Sequence, residues 1–185
     1  MPTSTRTQRF DLVLGAAADL AHVDRAYDAE VLVSALLGSV YAIAEQDRSA
    51  EVTRFTEGLR RHMGRRRTQE AVLLRSALRA FAPGGRRSPS TAEGPQWTTC
   101  VGSARPTGTY ARVDEYGDQT SYVATFGYPD ERHGGPEHAV VALVDHNLGY
   151  LRDLVVTAPA AAVLAALHVE PVEPAVLRSQ VERQL

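Results

Sequence analysis

The feature that most constrains this chain is a break in its hydrophobic periodicity. Upstream of residue 83, apolar residues recur at helical spacing; downstream of residue 95, they alternate or run continuously, as in strands. Between them, Pro83 to Pro95 (PGGRRSPSTAEGP) is dominated by Pro, Gly, Ser and Thr and holds no apolar period. The sequence therefore predicts a helical module over 1–82, a linker over 83–95, and an antiparallel sheet plus C-terminal helices over 96–185. The expected class is α+β, an N-terminal helical bundle followed by a four-stranded antiparallel sheet with C-terminal helices.

In the first part, Phe10 to His22 reads as a weak, Ala-rich helix. Asp28 is the expected N-cap of a second helix, with Glu30 in its first turn and Leu32, Leu36, Val40 and Ile43 on one face to Glu45. A break at Gln46-Asp47-Arg48 precedes a third, marked by Val52, Phe55, Leu59 and Met63. Thr68 is the expected cap of a fourth, with Leu74, Ala77, Leu78 and Phe81 aligned. Short connections make antiparallel neighbours of these helices.

In the second part, Thr107–Asp114 and Gln119–Gly127 are rich in Thr, Tyr, Val and Phe, while His138–Asp145 and Tyr150–Thr157 are apolar and β-branched. Four turn-like residues join each pair, so two hairpins are expected. The third strand is apolar on both alternating sets, as a strand covered on both faces must be. Helices are expected over Pro159–His168 and Ala175–Gln184.

Composition enters as a means of exclusion. All 20 basic residues among the 185 are arginine, and Ile43 and Asn147 are the sole Ile and Asn. Without lysine there is no Walker A phosphate lysine, no kinase strand lysine, no Schiff-base lysine and no Ser–Lys dyad. The single Cys100 excludes an internal disulfide and a Cys-rich zinc site, and fits a reducing compartment. Arg6 and Arg9 before Leu12–Ala18 resemble a signal peptide, but Asp11 and Asp19 bracket that run and leave it too short. The longest uncharged stretch, Leu154–Val169, is interrupted by Pro159 and falls short of the ~20 residues of a membrane span. The expected setting is cytoplasmic, without a membrane.

Two groups of residues carry candidate chemistry. If the strands form a meander, the first and third turns lie at one end of the sheet, roughly 10 Å apart. Asp114, Tyr116 and Asp118 would meet Asp145, His146 and Asn147 there, a set able to bind a ligand or act as acid and base. The same residue types are what tight turns need for their own backbone. Asp153, inside a strand, requires water or a partner such as Arg152 or Arg112. No metal-binding spacing, nucleophile elbow or dinucleotide loop occurs, so no metal or cofactor is assigned.

The segments Asp114-Glu115-Tyr116-Gly117-Asp118-Gln119 and Val144-Asp145-His146-Asn147-Leu148-Gly149, with Arg152-Asp153 after them, resemble a pattern in uncharacterised hypothetical proteins of GC-rich actinobacteria. The resemblance covers roughly 97–157. It implies a shared structural or binding role for the two turns and brings no activity.

The second group is basic. Residues 54–87 hold 10 Arg against Glu57 and Glu70, although the whole chain carries a net charge of -2. Arg60, Arg61, Arg65, Arg66 and Arg67 are anion-binding candidates, since guanidinium forks match phosphate and carboxylate. In a chain without lysine, every solvated cation is an arginine, which weakens this signal. Three readings stay open: a cytoplasmic interaction or regulatory protein binding a protein or small anionic partner; a hydrolase, metal-assisted or not, at the 114–118 and 145–147 turns; and nucleic-acid binding through 54–87.

Overall fold

The computed structural model describes residues 3–43, 47–64, 66–81 and 94–184. The stretch read as a linker falls, through residue 93, outside the described residues, as do Glu45, Arg65, Arg86 and Arg87. The chain divides into two compact units, Met1–Ser103 and Ala104–Leu185.

The first unit is helical. It contains α1 (Thr3–Ala16), continued by a 3-10 turn (Ala17–His22), then α2 (Ala26–Ile43), α3 (Arg48–Met63) and α4 (Gln69–Ala77). A second 3-10 turn (Leu78–Phe81) and the short α5 (Trp97–Cys100) complete it. The starts of α3 and α4 follow from capping chemistry. The Asp47 side chain accepts from Ala50 N–H, and Thr68 accepts from Ala71 N–H. Each satisfies an amide that the helix itself leaves without a partner. Asp28 does not cap α2: the helix begins at Ala26 and Asp28 lies within its first turn, where its charge complements the helix dipole.

α4 sits at the middle of this unit and packs against α1, α2, α3 and α5. Leu20, Val33, Leu59, Met63, Leu73, Leu74 and Leu78 are buried there. Phe10 meets Phe55 in a tilted pair, 5.5 Å between ring centres and 57° between planes. Trp97, 1% exposed, seats α5 against α2 and α4, and Cys100 is buried beside it as a small apolar residue. α2 is long and apolar enough to cross a membrane by length and composition alone, although little of it is buried.

The second unit is a sheet with a helix on each face. Its strands are β1 (Arg105–Val113), β2 (Gln119–Gly127), β3 (His138–Asp145) and β4 (Tyr150–Thr157), all antiparallel neighbours in sequence. α6 (Glu131–Gly134) forms within the β2–β3 loop, capped by Asp130. α7 (Ala160–Leu167) and α8 (Pro174–Glu182) follow β4.

The expectation of four strands is corrected to five. β5 (Glu170–Pro171) lies between α7 and α8 and pairs with β1, giving the order β4-β3-β2-β1-β5. Two residues are too few to show a strand period, and Pro171 reads as a breaker. An edge strand tolerates proline because the missing N–H faces no neighbour.

The two faces of β3 are both covered. Ala142 and Val144, with Tyr122 of β2, pack under Leu177 and Val181 of α8. Ala139, with Val123 of β2, packs under Ala160, Val163 and Leu164 of α7, and Val141 joins it. This is why β3 is apolar on both alternating sets, and the sequence reading of its burial holds.

Candidate functional site

The meander brings the first and third turns to one end of the sheet. The His146 N–H donates to Asp118 O at 2.8 Å, and Gln119 stands opposite Asp145 in the β2–β3 register. Convergence follows from strand order alone, since β1–β2 and β3–β4 turns of a meander share an end.

Two of the carboxylates gathered there, those of Asp114 and Asp145, are used by the turns themselves. Asp114 Oδ1 accepts from Gln119 N–H at 3.1 Å, and its backbone exchanges further bonds with Gly117 and Gln119. Asp145 is buried; Oδ1 accepts from Leu148 N–H at 2.9 Å, and Oδ2 lies 3.5 Å from the Gln119 amide nitrogen. Gly117 and Gly149 hold φ of 74° and 67°, the left-handed backbone these turns require. Tyr116, Asp118, His146 and Asn147 are exposed. Among the described residues, no group of three or more His, Cys, Asp or Glu side chains is placed to hold a metal ion.

One contact at this end was not anticipated. Thr120 Oγ1 and His146 Nε2 lie 2.7 Å apart, the distance of an alcohol and its general base. Thr120 is only 3% exposed, so its hydroxyl offers little surface to a substrate. The hydrogen bond instead pins the third turn to β2. The hairpin register, which sets Thr120 one step from Gln119 on the strand facing β3, was the available signal.

Asp153 is exposed to water, one of the two expected settings, and pairs with neither Arg152 nor Arg112. Its Oδ1 accepts from the N–H of Leu154, its own neighbour, at 2.8 Å. Arg112 instead donates to Leu167 O at the end of α7, at 3.0 Å. His133 forms a 2.8 Å contact with Asp130, and this bond holds the Asp130 carboxyl below its ordinary range. His138 is buried and stacked on Phe126.

The arginines separate into distinct roles. Arg66 pairs with Asp11 at 2.9 Å, and His62 reaches the same carboxylate oxygen at 3.0 Å, so Asp11 is held below the usual carboxylate range. Arg54 pairs with Glu51 one turn away. Arg75 donates to Met63 O and Arg60 to Leu78 O, each satisfying a carbonyl at a helix end. Arg61 and Arg67 are exposed.

Arg60 has a second setting. It lines a cavity of 270 Å³ together with Leu37 of α2, Val52, Thr53, Thr56 and Glu57 of α3, and Phe81. Leu37, Val52 and Phe81 give apolar walls. The Thr56 hydroxyl donates to Val52 O, so what it has left to offer is acceptor capacity. The sequence reading singled out Arg60 but missed the stripe Thr53, Thr56, Glu57, Arg60. Steps of three and four residues place this polar set on one helix face.

Comparison of the chain with protein-family models, curated proteins and solved structures finds no match.

Proposed function

We propose that the chain is a binding protein of the cytoplasm that takes a small anion with an apolar body in the cavity beside Arg60. The observation that carries this reading is the pairing of one half-buried guanidinium with apolar walls in a single half-open cleft. Ligand sites are concave, mostly apolar and marked by a few placed polar groups. A volume of 270 Å³ suits a ligand of roughly nine water-sized groups, counting about 30 Å³ for each. Arg60 donates one bond to Leu78 O, which fixes the fork, and its other donors are the recognition element for a carboxylate. Glu57 on the same wall repels a second negative charge, which favours a monoanion.

The competing readings have weaker support. A hydrolase at the sheet end has the Asp114 and Asp145 carboxylates occupied by backbone N–H groups and its nearest hydroxyl buried. Nucleic-acid binding through 54–87 calls for a continuous basic face, whereas Arg54 and Arg66 pair with carboxylates and Arg60 and Arg75 bond to carbonyls.

The test is calorimetric titration with octanoate and, separately, octylamine. Octanoate is expected to bind the wild-type protein, about tenfold more weakly to Arg60→Gln, and not at all to Val52→Trp, which fills the cavity. Preference for octylamine would assign the cavity to Glu57, and absence of both would remove the reading.

A further inference from the structure

We propose that the outer edge of β4 is a self-association surface, pairing antiparallel with the β4 of a second copy of this chain about a two-fold axis through Val155. β4 ends the sheet, and among the described residues no strand pairs its outer side. Leu154, Val155 and Val156 are consecutive and 55%, 45% and 45% exposed. A run of three large apolar side chains on an unpaired edge is what sheet proteins ordinarily avoid.

The hydrogen-bonding phase follows from Asp153. Its carboxylate takes the Leu154 N–H, which marks Leu154 as a residue whose amide faces away from β3. Alternation along the strand gives Val156 the same outward amide. An axis through Val155 then sets Leu154 opposite Val156 of the second copy, and Val156 opposite its Leu154. Both are phase-matched pairs, each exchanging two backbone hydrogen bonds. The side chains are also matched: Leu154 and Val156 meet on one face and the two Val155 residues meet on the other. Asp153 faces a threonine hydroxyl, Thr157 of the second copy, so no like charges are opposed. Moving the axis to Asp153 would set two carboxylates face to face. The occupant is therefore a second copy, because this short stretch is complementary to itself in phase, apolar matching and charge.

Two features limit the pairing. Arg152 is the extra residue of a β-bulge, since Leu143 pairs with Asp153 and Val144 with Leu151, so regular pairing stops there. Five residues a side bury on the order of 600 Å² in all, about half of what a standard stable interface needs. The association is thus weak and reversible, with a dissociation constant on the order of 100 μM. The Asp153 carboxylate, which has to release the Leu154 N–H for pairing, weakens it further.

Sedimentation velocity of the whole chain, with amide NMR shifts across a concentration series reaching about 1 mM, tests this. Wild-type protein is expected to shift toward dimer, with concentration-dependent shifts centred on Leu154 and Val156. Val155→Lys, which places two ammonium groups at the axis, is expected to remain monomeric. Asp153→Ala is expected to associate several-fold more tightly. Thermal melts of both variants establish that they fold. A wild-type protein monomeric throughout the series, shifts centred elsewhere, or a Val155→Lys protein that dimerises like the wild type would each overturn the proposal.

Discussion

The two edges of the sheet solve the same problem in opposite ways. At one edge, β5 offers only two residues, one charged and one a proline, and it is tied down on its inner side. Thr109 Oγ1 donates to Val172 O at 2.6 Å, the Val172 N–H returns a bond to Thr109 O at 3.0 Å, and Arg112 holds the end of α7 at Leu167 O. At the other edge, β4 presents eight residues, with three large, exposed apolar side chains in its C-terminal half. A short, proline-bearing, charged edge has little to offer another strand, whereas a long apolar one is a template. The contrast leaves β4 the more open of the two edges, guarded only by the bulge at Arg152 and by the Asp153 carboxylate on the Leu154 N–H.

The comparison is broken most severely from beneath. Val144 of β3, the inner neighbour of β4, is fully buried against α8, and Val144→Ala should cost about 2 kcal/mol of stability, measured by urea unfolding. Amide exchange in β4 should rise with it. The closed edge responds to a smaller change. Arg112→Gln removes the bond to Leu167 O and should cost about 1 kcal/mol. Exchange at Val172 should accelerate while that at Leu154 stays as in wild type; equal acceleration at both would mean the edges are not independent. The smallest effect lies at neither edge but in the loop feeding β3. The His133 bond holds the folded Asp130 carboxyl below its ordinary 3.8, so its stabilisation is complete above that pH and is lost as pH falls through the lower folded value. His133→Ala should return the Asp130 titration, followed by carbon NMR, toward 3.8 and shift the acid limb of unfolding upward slightly.

Much of this architecture was legible in the residues. β2, β3 and β4 occupy the spans that alternation and turn chemistry predict, and Asp47 and Thr68 punctuate the helices as capping requires. β5 was not legible, because its two residues take their strand character from β1 rather than from any pattern of their own. The convergence of the two turns was legible from topology, yet the Asp114 and Asp145 carboxylates turned inward to the turns' own amides, an outcome that residue type alone does not distinguish from ligand binding. The arginine cluster was visible as charge. What divided it into ion pairs, carbonyl donors and one cavity wall was the position of carbonyls such as Leu78 O and Met63 O, which depends on how separate helices end against each other. The β4 edge was read as part of a hairpin, and its exposure depends on strand order, which a single strand's sequence does not contain.

The late arrival of β5 also has a consequence for synthesis. Ala111 and Glu170 are partners in the sheet, so β1 emerges from the ribosome about sixty residues, or several seconds of translation, before the strand that covers its outer side. During that interval the nascent sheet has two uncovered edges rather than one. The brevity of β5 thus has a kinetic side: only two residues and one threonine clasp need to find their place once they appear, so the vulnerable interval closes soon after its last residues are made.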